Sequence, residues 1–449
     1  MNKKDFKQYM RQGLGRCALE LEASSDIQRY KETVLWGCLH NLSFDAQSEG
    51  TRAEYVYSLT KYFDDADYFV LPVVDAFLKL SPKEDWLFLH FCTLLCKFAE
   101  NGSQIARDAI NEKYGILLSA LIKKKRFSIY DLERDNFECI CIELLSLDGV
   151  GAVLKIITDI GCLFIENPHY SAEDFCYLCY SMEKKIGAKR FEGILMREAK
   201  RQDGAREFYK RYSEYVNASA CERHVNSIPS AEDIKDELIK NKALSISSKV
   251  RFRRQSDEER IKLAMQVLSE EDVNLKAELL SVFAFEDESF PLDHKTIIEY
   301  SRSPNKKLRD TAFRVLFGAQ SEYVRKYALE LLESGEHKIG AIKMLISSYT
   351  KEDKDMLLDL LYSLDVDYEE KSDWHSIGLK ILKKRKGKVR LPAELYLYVY
   401  NTTLCSCCRC DAVKALGHQR ALTREIIEEC RHDSNRDISS YVNRYYPEK

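Results

Sequence analysis

Apolar residues in this chain recur every three or four positions between short polar breaks, over nearly its whole length. A helix burying one stripe has that period, so the chain is expected to be a succession of helices. Residues 5–21 predict an amphipathic helix and 27–42 a second, followed at short pitch by 51–63 and 68–80. The stretch 86–98 is apolar on every face (Leu87, Phe88, Leu89, Phe91, Leu94, Leu95), which predicts a central helix covered on all sides. Ser103 is placed to cap a helix over 104–122, and Ser171-Ala172-Glu173-Asp174 has the form of a capping box. Asp148-Gly149 separates a helix over 131–147 from one over 150–164.

Further along, one phrase occurs twice. Leu308-Arg309-x-x-Ala312-x-x-x-Leu316 is followed by Val324-Arg325-x-x-Ala328-x-x-x-Leu332. Each puts apolar groups at i, i+4 and i+8, with alanine where two helices must approach closely. The interval leaves room for a three-turn helix and a tight turn. Neither helix can bury its stripe alone, so stacking in a row is the expected solution: an all-α fold built as an α-solenoid of helical hairpins.

The pattern divides the chain into an irregular helical region over 1–216, a serine-containing basic join over 217–255, and a region of short regular helices over 256–449. In the last region helices are expected over 261–268, 275–285, 295–300, the two phrases, 339–346, 356–364, 376–383, 392–401, 411–416, 424–430 and 438–445, with an acidic loop over 365–373.

Ser303-Pro304-Asn305-Lys306-Lys307-Leu308-Arg309 resembles the turn and helix entry of HEAT repeats, Ser321 to Arg325 is a looser copy, and Asp433-Ser434-Asn435-Arg436-Asp437-Ile438 copies the turn with Ser439 in place of the arginine. The resemblance covers about a third of the chain and implies HEAT- or armadillo-like architecture, not a particular activity. The pitch of about 32 residues per hairpin is shorter than the ~40–47 usual for HEAT units. The phrase arginines, Arg309 and Arg325, are expected to reach along the stack to carbonyls or carboxylates.

Composition changes this picture little. Eighteen Gly and 8 Pro in 449 residues are too few for the turns of an all-β or α/β protein. A formal charge of −3 neither demands nor excludes nucleic acid. No apolar run reaches the ~20 residues of a membrane span, the first residues lack a secretory signal, and the 15 Cys lie mostly in apolar helical stretches. A cytoplasmic location without membrane contact is therefore expected, with thiols packed as small hydrophobes.

Three features bear on chemistry. Cys405, Cys407, Cys408 and Cys410 have C-x-x-C spacings suited to zinc, but a second C-x-x-C is missing, so packed thiols at a helix start are expected and no cofactor. Arg190, Arg197 and Arg201 fall on one helical stripe with Lys184, Lys185, Lys189 and Lys200 nearby, and Lys249, Arg251, Arg253 and Arg254 form a second basic group in the join. Both groups are candidate anion or nucleic-acid contacts. The compact run 383–390 follows the acidic loop, and mutual screening accounts for it.

No P-loop, dinucleotide fingerprint, nucleophile elbow or zinc-protease motif is present. Two-helix solenoids include DNA glycosylases of the alkyl-purine type, a resemblance that implies aromatic walls around a carboxylate; here Trp36 and Trp86 are followed one turn later by His40 and His90, and Asp85 beside Trp86 diverges from it. His40, His90 and His169 are assigned structural or surface roles. The expected function is non-enzymatic: a scaffold whose extended groove recognises another protein, with exposed tyrosines as anchors. A nucleic-acid-binding solenoid is the alternative.

Overall fold

The computed structural model describes residues 1–81, 83–84, 86–124, 131–219, 228–285, 289–364, 371–384 and 389–448. Helix accounts for 75% of the chain, no strand occurs among the described residues, and no described helix is long and apolar enough to cross a membrane. Asp85, most of the acidic loop 365–373 and the centre of the basic run 383–390 lie outside the described residues. The chain separates into two compact units, Met1–Arg223 with Leu404–Ser406 and Thr423–Lys449, and His224–Thr403 with Cys407–Leu422. The stretch 256–449 is thus shared between the two units, and the join 217–255 contains helices Ala231–Asn241 and Ile246–Phe252.

In the first unit the expected single helix over 5–21 is two helices, Lys3–Gln12 and Arg16–Ala23. Gly13 caps the first at φ +76°, a left-handed conformation that a side chain disfavours. Gly15 cannot carry a β-carbon, which would fall 1.9 Å from the Glu429 carbonyl oxygen. The break is a tertiary demand: Arg16 pairs with Glu429 at 2.8 Å, and Ser434 donates its amide to the Gly13 carbonyl at 2.9 Å. Helix Trp86–Glu100 is central as expected, packing against Ala53–Thr60, Asp67–Lys79, Gln104–Lys123 and Leu132–Asp148. Ser103 caps Gln104–Lys123 by accepting from the Ala106 amide at 3.3 Å.

Helices Val150–Glu166 and Asp203–Ser219 approach most closely through glycines. A β-carbon on Gly161 would lie 1.7 Å from the Gly204 carbonyl oxygen, and one on Gly204 2.5 Å from that of Thr158. Backbone meets backbone here, so neither position has space for a methyl.

In the second unit helices pack on others one to three places along the chain. Ala231–Asn241 packs on Asp257–Ser269 and Val273–Leu280; His294–Tyr300 on Lys306–Leu316 and Glu322–Ser334; and Lys338–Ser347 on Lys306–Leu316 and Lys371–Lys383. Lys306–Leu316, Lys338–Ser347 and Lys371–Lys383 begin about 32 residues apart. The first phrase behaves as its pattern requires: Leu308, Ala312 and Leu316 are buried, and the Asn305 side chain caps the helix by accepting from the Leu308 amide at 3.0 Å. In the second, Ser321 caps and Val324 and Ala328 are buried, but Leu331 takes the place expected for Leu332, which is half-buried. At 100° per residue, i+7 lies closer to the stripe than i+8.

Arg309 donates to the carbonyls of Ser303 and Pro304, in the turn before its own helix, at 3.0 and 3.5 Å, whereas Arg325 reaches along the chain to Asp353 at 2.5 Å, so the expected reach is made by Arg325 alone of the two. Asp353 is buried and also closes a capping box with Thr350. Burial works to raise its carboxyl, but Arg325 and the Thr350 amide and hydroxyl outweigh it and hold Asp353 below the usual aspartate value.

Candidate functional site

Two exposed helical faces stand out, one in each unit. In the first unit the capping box at Ser171 forms as expected, the Ser171 amide donating to Asp174 at 2.8 Å, and opens a short 3-10 turn, Ala172–Phe175. This sets the rotation of helix Cys176–Ile186, which buries Leu178, Cys179 and Met182. Positions 177 and 180 then point away from the core, leaving Tyr177 62% and Tyr180 57% exposed. Neither ring packs on another aromatic or a cation among the described residues. Lys184 shares their face.

Gly187, at φ +88°, ends that helix and starts Ala188–Glu198. Phe191, Ile194 and Leu195 go inward, and Phe191 meets Tyr212 edge-on at 5.5 Å. Lys189, Arg190, Arg197, Lys200 and Arg201 are exposed. Arg197 and Arg201 converge on the buried Glu198 at 2.8 and 3.4 Å. Lys184, Lys185, Lys189, Arg190 and Lys200 make no ion pair among the described residues. The stripe Arg190, Arg197, Arg201 is therefore one cation without an acidic partner and two tied to Glu198, and its reach comes from the neighbouring lysines.

The second basic group is held differently. Lys249 joins helix Ile246–Phe252 to Glu278 at 3.2 Å, and Lys307 reaches the same carboxylate at 2.6 Å. The Arg253 guanidinium stacks 4.7 Å over Phe285, Arg251 donates to the Ser247 carbonyl at 3.4 Å, and Arg254 is exposed. The two groups belong to different units.

The other face lies at the start of the second unit. Helix Asp257–Ser269 buries Leu263, Ala264 and Val267 and turns out Ile261, Met265 and Leu268, which are 40%, 61% and 36% exposed. Those positions are i, i+4 and i+7, a continuous apolar stripe on the solvent side. Asp257 and Glu258 are exposed at one end of the helix, and Glu271 and Asp272 just past the other. The adjoining helix Ala231–Asn241 turns out Ile239, 53% exposed, and its Glu232 accepts from Gln266 at 3.2 Å, tying the two helices together. Sequence reasoning missed both the tyrosine pair and this stripe. Their signal is a second apolar series out of phase with the buried one.

Cys405, Cys408, Cys410 and Cys430 are buried, whereas Cys407, one turn before Cys410 in helix Ser406–His418, is exposed. His90 is buried with Nε2 3.1 Å from the Cys38 carbonyl oxygen, so Nε2 carries the proton, and burial pulls its pKa down to about 4. His40 stacks on Trp36 at 4.6 Å, with Lys7 3.8 Å from the same indole, and Trp374 stacks on Tyr398 at 5.7 Å. A cavity of about 490 Å³ in the first unit has Tyr57, Phe63 and Phe98 in its walls and Lys61 and Asp67 among its lining.

Comparison of the chain with protein-family models, with curated proteins and with solved structures gives no significant match.

Proposed function

We propose that the chain is a non-enzymatic binding protein, a cytoplasmic scaffold whose second unit is an α-solenoid of HEAT- or armadillo-like hairpins and whose exposed helical face recognises another protein. The solenoid reading is supported by packing between helices one to three places apart, by a pitch of about 32 residues, and by phrase arginines that reach backward to a turn or forward to the next cap. Buried thiols at Cys92, Cys141 and Cys179 suit a reducing compartment.

The observation that carries protein recognition is the stripe Ile261, Met265 and Leu268 with acids at both ends. Apolar side chains turned out at helical spacing are a surface for a second helix to cover. The matching occupant is an amphipathic helix with apolar anchors every three to four residues and lysine or arginine on its flanks. Hydrophobic contact then supplies affinity, and the acids select against acidic segments.

A basic amphipathic peptide labelled for fluorescence anisotropy should bind the full chain and lose at least about ten-fold in affinity on Ile261→Gln with Met265→Gln, since each buried apolar side chain is worth roughly 1.5–3 kcal/mol. Tyr323→Gln, an equally exposed position outside the stripe, should leave the affinity unchanged. The same peptide with acidic flanks should not bind. Equal loss for both variants, or binding of both peptides, rejects the reading.

A further inference from the structure

The tyrosine-bearing face of the first unit has a chemistry that the protein-binding face lacks. Tyr177 and Tyr180 are exposed, unstacked and three positions apart on one helix, with Lys184 on the same side. Across Gly187, Lys189 and Arg190 begin the next helix without acidic partners among the described residues. Large aromatic rings left in water beside cations without ion pairs suit a ligand that is both flat and anionic.

We propose that the face formed by helices Cys176–Ile186 and Ala188–Glu198 binds single-stranded nucleic acid, with Tyr177 and Tyr180 stacking on bases and Lys184, Lys189 and Arg190 neutralising phosphates. Side chains at i and i+3 have β-carbons about 5–6 Å apart, within reach of two neighbouring bases on a strand whose step is about 3.4 Å. A duplex keeps its bases stacked on one another and offers the rings nothing, so the strand must be single. No base-edge reader is required, and binding should show little sequence preference. This inference stands apart from the protein-binding reading, because it uses a different surface in a different unit.

The test is fluorescence anisotropy of a labelled oligothymidylate with the full chain, beside heparin and inorganic polyphosphate as polyanions without bases. With Lys184, Lys189 and Arg190 engaging phosphates, affinity should fall roughly 20-fold between 50 and 200 mM salt, following a slope of about −0.7 per contact. Tyr177→Ala with Tyr180→Ala should weaken oligonucleotide binding at least about ten-fold and leave heparin binding within about two-fold, given 1–3 kcal/mol per stacked base. Tyr177→Phe with Tyr180→Phe should retain binding, since the ring and not the hydroxyl is used. Lys189→Glu with Arg190→Glu should weaken oligonucleotide and heparin alike. The inference is overturned if the oligonucleotide does not bind at 50 mM salt, if the alanine pair binds like wild type, if duplex binds as tightly as single strand, or if Ile261→Gln with Met265→Gln abolishes oligonucleotide binding. Alanine variants that fail to fold, judged by helicity, leave the phenylalanine and charge-reversal pairs to decide it.

Discussion

Between residues 184 and 201 of the first unit, five cations face solvent without an ion pair among the described residues, whereas in the second unit Lys249 and Lys307 share Glu278, and Arg325 is fixed on Asp353. The same residue types do opposite work. In the second unit charge ties one helix to another, and what remains outside is the apolar stripe of helix Asp257–Ser269 with acids at its ends. In the first unit charge ties helices too, Arg107 to Asp148 at 2.5 Å and Lys97 to Glu54 at 3.5 Å, but on the face over 184–201 it does not. The formal charge of −3 averages over this segregation and conceals it. The two proposed ligands follow this difference between the faces.

The largest expected effect comes from removing what holds the first face in place. Helix Ala188–Glu198 rests on Asp203–Ser219, which in turn is seated on Val150–Glu166 through Gly161 and Gly204. Gly161→Ala puts a methyl against a backbone carbonyl that cannot swing aside, and should cost about 3 kcal/mol. Amide exchange should accelerate in both helices, and the thermal midpoint should fall. Oligonucleotide binding should fall with it, while exchange in helices Lys306–Leu316 and Lys338–Ser347 stays as in wild type. Faster exchange in those helices as well would show that the two units do not hold their stability separately.

A second contrast lies in buried acids. Glu138, beneath helix Cys176–Ile186, is buried with Oε1 unpartnered, and burial, only partly opposed by Arg134, raises its pKa from 4.5 to about 7. The folded first unit therefore keeps a proton that the unfolded chain has released between those values, and its stability falls as pH rises from 4.5 to about 7. Asp353 in the second unit runs the other way. Its folded pKa lies below the ordinary value, so it stabilises at all pH above that value and the contribution is lost as pH falls through the folded one. Glu138→Met should remove the slope in the first unit and stabilise it at pH 8 by on the order of 2 kcal/mol. Asp353→Asn should destabilise the second by about 2 kcal/mol at pH 7 and less at pH 3. Exchange followed by mass spectrometry separates the two, and parallel pH slopes in both units would contradict the contrast.

The caps at Ser103 and Ser171 were legible in the sequence because each is decided within four residues, and the reach of Arg325 followed from a phrase. The all-helical class followed from period alone. The break at Gly13 and Gly15 was not legible, because its cause is the Glu429 carbonyl, far along the chain. Nor was the exposure of Tyr177 and Tyr180. A helix rich in Phe, Tyr and Cys reads as core, and most tyrosines here do pack, Tyr114, Tyr170 and Tyr396 being almost wholly buried. Which ring faces out depends on the rotation that the turn Ala172–Phe175 imposes. The basic stripe was visible as Arg190, Arg197 and Arg201, but not the pairing of Arg197 and Arg201 with Glu198, which depends on how the side chains turn.

The smallest effect sharpens the comparison most finely. Gly193 sits on the exposed side of helix Ala188–Glu198, three residues after Arg190 and four before Arg197, and a β-carbon there would meet no atom within 4 Å. Gly115, inside helix Gln104–Lys123 and away from the basic face, is equally open. Glycine in a helix interior costs about 1 kcal/mol relative to alanine, so Gly193→Ala and Gly115→Ala should each stabilise the first unit by up to that amount. They should differ in binding. If a strand lies along the helix between Arg190 and Arg197, its backbone approaches the bare Cα of Gly193, and the added methyl should weaken the oligonucleotide two- to three-fold while Gly115→Ala leaves it unchanged. Equal affinities with equal stabilisation would place the phosphates out at the lysine tips, so that the strand rests on Tyr177 and Tyr180 and only spans the helix behind them.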